Sequence, residues 1–242
     1  MEWRDEGILL RTAPHGEGGL LLDVFTAEHG RRRGLLRGGA SKKRVAEMQI
    51  GAQLSVQWRA RLETQLGRFQ AEATRMRAGF VLDDKLALAA LSSAAALLET
   101  LIPESDPQPS LYRDSLHLFD AIAARPDWPG DYARWELTLL AELGYGLDLT
   151  ACAATGSSQD LAYVSPRSGR AVSRQAGAPY HDKLLPLPGF LTLEGAAAQP
   201  GDFADALRMT GYFLERRALP PIGVECAPAA RDRLLQLAEK QV

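Results

Sequence analysis

Cysteine is almost missing from this 242-residue chain, which has only Cys152 and Cys226. Two cysteines cannot make the disulfide framework of a small secreted domain, so a reducing compartment, the cytoplasm, is the expected location. Histidine is nearly as scarce. His15, His29, His117 and His181 are scattered, none has a partner at metal-ligand spacing, and surface or turn positions account for each. No apolar run approaches the roughly 20 residues that a membrane span needs. The Ala/Leu-rich stretch Leu86–Leu98 is interrupted by Ser92 and Ser93 and flanked by Asp83, Asp84 and Glu99. The opening residues, with Glu2, Asp5 and Glu6, lack the positive n-region of a signal peptide. There is no tight acidic group of the kind a two-metal nuclease uses. His15-Gly-Glu-Gly-Gly19 lacks the Lys-Ser/Thr ending of a phosphate loop and precedes a strand rather than a helix, so it reads as a turn.

What the chain does have is concentrated positive charge. Arg31-Arg32-Arg33-Gly-Leu-Leu-Arg37-Gly-Gly-Ala-Ser-Lys42-Lys43-Arg44 lies inside a chain of formal net charge −2. Residues 1–80 carry 14 Lys/Arg against 9 Asp/Glu, a net of +5, and residues 81–242 carry 14 against 21, a net of −7. That switch favours two domains, 1–80 and 81–242. Fixed cations beside flexible glycines suit a polyanion, because each neutralised phosphate releases a condensed counterion. From charge alone, a solvated face on an ordinary barrel explains the cluster equally well.

The first 80 residues read as short strands with glycine corners: Gly7–Arg11, Leu20–Thr26, Arg31–Arg37, Leu54–Trp58 and Gly67–Thr74. Five such strands suit a small barrel of the OB type, and an SH3-like barrel fits the count nearly as well. Phe25 and Trp58 alternate with polar neighbours and are expected in the core. After Phe80 the apolar period becomes helical. Asp83-Asp84 caps a helix carrying Leu91, Ala94, Leu98 and Leu101. A second helix starts at Ser110 with Tyr112, Leu116 and Phe119 on one face. Asp131–Leu143 is a third, stopped by Gly144. Asp202–Arg217 and Ala229–Lys240 close the chain. Residues 150–200 are rich in Gly, Ser and Pro and read as an irregular excursion with a hairpin near Ala162–Ala171. The expected fold class is therefore α+β, a barrel followed by a helical domain of about five helices.

Cys152-Ala-Ala-Thr155-Gly156 has the frame of a Cys-x-x-Cys knuckle with the second cysteine replaced, and Ser173-Arg-Gln-Ala176 sits where a second pair would lie. Tetrahedral zinc needs four soft or imidazole ligands, and one remains. Residues 150–180 thus read as a zinc knuckle without its metal, and no metal or cofactor is expected.

These segments carry a family resemblance. Leu20-Leu-Leu-Asp-Val-Phe-Thr26-Ala-Glu-His-Gly30-Arg31, with Gly38 and Ser41-Lys-Lys-Arg44, resembles the N-terminal signature of the bacterial RecO family. Trp135-Glu-Leu-Thr-Leu-Leu-Ala-Glu-Leu-Gly144-Tyr145-Gly146 and Cys152 are similar to its central helix and zinc knuckle, and the last helix, with Arg231, to its C-terminal helix. The resemblance spans essentially the whole chain. It implies an N-terminal OB fold, a helical C-terminal domain and a role in recombinational DNA repair. It further implies binding of single- and double-stranded DNA, strand annealing, and partnership with RecR in loading RecA onto DNA coated by single-strand binding protein (SSB), in a nucleoid-associated setting.

On that reading Arg31, Arg33, Arg37, Lys42, Lys43 and Arg44 are the expected phosphate contacts, tracking a backbone without reading bases. Arg208, Arg216, Arg217 and Arg231 are the candidates for the acidic SSB tail, although a solvated helix face explains the first three as well. Two other classes stay open: an RNA-binding OB protein of translation or ribosome assembly, and a metal-dependent nuclease.

Overall fold

The computed structural model describes residues 1–62, 65–192 and 198–240. The alternating apolar positions of the first segment form strands β1 (Glu2–His15), β2 (Gly19–Thr26), β3 (Gly30–Leu36), β4 (Gln53–Arg59) and β5 (Gly67–Arg75), with helix α1 (Lys42–Glu47) between β3 and β4. They close into a barrel of order β1-β2-β3-β5-β4, in which β3 and β5 pair in parallel. That order, with a helix between β3 and β4, is the OB arrangement and sets the SH3-like alternative aside. β1 is twice the expected length or more because it serves two neighbours. Its first half pairs with β4 and its second with β2, and the register slips between Leu9 and Arg11. An extra residue at such a slip bends the strand around the barrel. Leu9, Leu22, Val24, Leu54, Val56, Trp58 and Phe69 fill the interior.

Asp84 caps α2 (Lys85–Leu101), its carboxylate accepting from the Leu86 and Ala87 N–H groups at 2.9 and 3.0 Å. α3 (Pro109–Ala124) buries Tyr112, Leu118, Phe119 and Ile122. Contacts divide the chain into one compact unit of residues 1–125 with 228–231, and another of 126–227 with 232–242. So α2 and α3 belong with the barrel, and position 80 marks the change from strand to helix.

These two helices lie over the outer face of β1–β3. Ile8, Asp23 and Phe25 point away from the barrel interior yet are 0%, 3% and 0% exposed. Phe25 meets Tyr112 edge-on at 5.7 Å. At Gly30, φ is +66° and a Cβ would lie 2.4 Å from the Asp106 carbonyl oxygen, so only glycine fits that corner. Arg77, fully buried just past β5, holds the barrel to α3 through Asp120.

The second unit contains α4 (Trp128–Glu142), a three-stranded sheet ordered β7-β6-β8, helix α5 (Arg174–Gly177), α6 (Asp202–Phe213) and, from residue 232 on, α7 (Ala229–Glu239). The strands are β6 (Leu161–Val164), β7 (Ala171–Ser173) and β8 (Leu185–Pro186). The hairpin expected near 162–171 is present as β6 and β7, with β8 added. α6 runs into one π-helical turn, Leu214–Ala218. Gly144, at φ +83°, follows the end of α4 as the sequence indicates.

Candidate nucleic-acid interface

The basic segment separates into two groups. Arg31 is 8% exposed and lies beneath the helices. Its Nη1 donates to Asp23 Oδ2 at 2.7 Å and its Nε to the Ile102 carbonyl at 2.9 Å. Arg33 Nε reaches the same Asp23 oxygen at 2.8 Å and Glu104 at 3.4 Å. Burial pushes the Asp23 carboxyl up, against the pull of Arg31 and Arg33, and Glu99 adds to the rise. Arg32 lies over the Trp58 ring at 5.5 Å and donates to the His29 carbonyl. Arg31 and Arg33 link the barrel to Glu99 of α2 and the turn after it, whereas Arg32 bonds to groups of the barrel itself.

Arg37, Lys42 and Lys43 are exposed, and no ion pair engages them among the described residues. Ser41 caps α1, its hydroxyl accepting from the Arg44 N–H at 3.4 Å. Arg44 is half-buried. Its Nη1 donates to the Ala71 carbonyl at 2.9 Å and lies 3.6 Å from Glu47, which pins α1 against β5.

Beside this helix the outer faces of β4 and β5 form an open groove of about 760 Å³. Strand pairing sets its floor. Arg4 faces Gln57, Gln57 faces Gln70, and Arg59 faces Arg68. Arg37 and Arg44 line the same groove, with Glu72 at its far end. Arg59 also pairs with Glu2 at 2.7 Å, an exposed ion pair that holds the Glu2 carboxyl below its usual range. Charge clustering in the sequence missed Arg4, Arg59 and Arg68, which come from three different strands. The signal that finds them is position parity, since each alternates with core residues.

The four arginines of the second candidate set differ in how they are engaged. Arg208 Nη1 and Nη2 bind Asp205 and Glu239, each at 2.7 Å. Arg217 stacks 4.9 Å over Phe213 and donates to the Arg167 carbonyl at 2.8 Å. Arg231 is buried, with 2% exposure, and Arg216 is exposed on the π-turn.

The knuckle residues come together. Cys152 is buried, its Sγ accepting from the Ser173 N–H at 3.2 Å, and the loop closes through Gly156 N–H to the Cys152 carbonyl at 2.8 Å. No group of three or more His, Cys, Asp or Glu among the described residues is placed to hold a metal ion. Burial alone raises the thiol, but hydrogen bonds from the side chains of Ser173 and Thr155 and the backbone of Ser173 and Ala154 outweigh it and lower it to about 6. A group with a depressed folded pKa stabilises most above its unfolded pKa and loses that contribution as pH falls through the folded value. Relative to Cys152→Ala, the native chain should therefore gain thermal stability between about pH 6 and 9. A stability difference that stays flat over that range would show that the thiolate is not held.

Comparisons with known proteins divide the chain near residue 80, where strand gives way to helix, rather than at residue 125. The family model "Recombination protein O N terminal" matches residues 1–77, and "Recombination protein O C terminal" matches residues 82–223. A protein of Ruegeria sp. (strain TM1040) named DNA repair protein RecO is 50% identical over 242 residues, the whole of both chains. Proteins of the same name from Cereibacter sphaeroides (strain ATCC 17025 / ATH 2.4.3) and Rhodospirillum rubrum are 48% and 46% identical. The former covers 98% of each chain, and the latter covers 98% of this chain and 96% of its own.

Proposed function

We propose, for a chain that belongs to the RecO family of DNA repair proteins, that it is a non-enzymatic mediator of recombination. It binds single- and double-stranded DNA through the barrel, anneals complementary strands and, with RecR, helps load RecA onto SSB-coated DNA. The observation that carries this reading is the exposed group Arg37, Lys42 and Lys43 beside an open groove on an OB barrel. Exposed cations without an ion pair neutralise phosphates at little desolvation cost, and a surface that screens two backbones lets complementary strands approach. The groove lining contains Phe69 as its one aromatic, itself 3% exposed and in the barrel core. Base stacking therefore contributes little, and binding tolerates any sequence. No helix among the described residues is long and apolar enough to cross a membrane.

In the second unit Arg216 is the candidate cation best placed for an acidic SSB tail, since Arg208 and Arg217 are engaged within their own unit. Replacing Lys42 and Lys43 by alanine should weaken DNA binding equally across sequences. The slope of log K against log salt should fall by about 1.4 on single strands, roughly 0.7 per lost phosphate contact. Single-stranded RNA of equal length that competes far better than DNA would support the RNA-binding alternative instead.

A further inference from the structure

The geometry points to a nucleic-acid path across the outer face of β4 and β5, with Arg4, Arg59 and Arg68 as phosphate contacts alongside Arg37. This inference rests on the DNA-binding reading above and gives it a location. An OB barrel has few outer faces to offer a strand. On this barrel the face of β1, β2 and β3 is occupied by α2 and α3. Phe25 lies under Tyr112, Arg31 is tied to Ile102, and Arg11 and Arg33 meet Glu99 at 2.9 and 3.9 Å. A polynucleotide there would have to displace buried apolar surface. The groove walled by α1 lies on an open face.

Its floor is built for an anion. Arg59 and Arg68 stand directly opposite each other on adjacent antiparallel strands, both exposed. Like charges in that position destabilise a hairpin unless an anion lies between or over them. Glu2 compensates Arg59 and also attracts Arg4 at longer range, but no ion pair engages Arg68, Arg4 or Arg37 among the described residues. The next row across the strands, Arg4–Gln57–Gln70, continues toward Arg37 beyond the end of β3. Four strands at about 4.8 Å spacing give a belt of roughly 14 Å, cationic at both ends with amide groups between. Arginine and glutamine are hydrogen-bond donors suited to phosphate oxygens. The belt runs across the strands, so a polynucleotide backbone follows it from the β1 edge toward α1 and reaches Lys42 and Lys43.

The test uses the full-length protein. Arg4→Gln with Arg68→Gln should reduce the salt slope on single-stranded DNA by about 1.4, while Arg113→Gln on exposed α3 leaves it unchanged. A photo-crosslinking residue, p-benzoylphenylalanine, in place of Gln70 should capture DNA, and one in place of Arg113 should not. The crosslink reads the site even if the double variant folds poorly. Unchanged slope in the folded double variant, together with crosslinking at position 113 and none at 70, would overturn the path while leaving DNA binding intact. Absence of any DNA binding by the native chain would overturn the path and the proposed function together.

Discussion

Replacing Arg77 with alanine is expected to destabilise the first unit by about 3–5 kcal/mol, a drop of roughly 10 °C in melting temperature for a chain of this size. Its side chain has no exposure, yet three groups converge on it. Nε donates to Asp120 Oδ1, Nη1 to the Gly51 carbonyl at 3.0 Å and Nη2 to Gln53 Oε1 at 3.2 Å. Truncation leaves a cavity and strands the Gly51 carbonyl away from water. The cost from Asp120 is smaller, because it is 30% exposed and keeps Arg75 at 3.0 Å. Asp120→Asn should therefore be much milder than Arg77→Ala. Arg77→Lys should recover little, since one ammonium cannot serve three acceptors in a planar fork. Chemical denaturation of the three variants measures the order. Equal losses for Arg77→Ala and Asp120→Asn would show that the ion pair alone matters.

Much of this architecture is legible in the residues, for physical reasons that also mark where legibility ends. Alternation of Leu20, Leu22 and Val24 against Leu21 and Asp23 locates β2, and Asp84 ahead of an Ala/Leu period locates α2. α1 escapes because Lys42–Glu47 buries no residue and so carries no apolar period. β8 escapes because it is two residues long and ends in Pro186.

The candidate interface is legible only in part. Arg31 and Arg37 look alike in the sequence, but their fates differ because Arg31 points outward under a helix pair 70 or so positions away in the chain. Nothing local to Arg31 announces Ile102. Conversely Arg4, Arg59 and Arg68 are isolated cations in the sequence, brought into one belt by closure of the barrel. The knuckle frame of Cys152, Thr155 and Ser173 was readable from spacing, whereas the hydrogen bonds that stand there depend on the fold.

The second large effect is expected at Asp23. Asp23→Ala should cost about 3–5 kcal/mol, because it leaves the Arg31 guanidinium, 10% exposed, facing only the Ile102 carbonyl and Glu104 at 3.7 Å. Removing both charges with well-packed apolar side chains, Asp23→Leu with Arg31→Met, should cost clearly less than the sum of the single changes, since neither ion is then left buried alone. The pH dependence has a definite sign. Burial raises the Asp23 carboxyl in the folded chain above the ordinary 3.8, so the folded state binds that proton more tightly than the unfolded one. Relative to Asp23→Asn, the native protein should lose stability as pH rises from below 3.8 through the raised folded value, and then level off. Urea unfolding across that range measures it. Because Arg31 and Arg33 are spent on Asp23, Arg31→Met should lower DNA affinity only under conditions where it also unfolds the barrel. A folded Arg31→Met chain with a reduced salt slope would return Arg31 to the phosphate-binding set, and single-variant costs that simply add would show that the buried pair is not coupled.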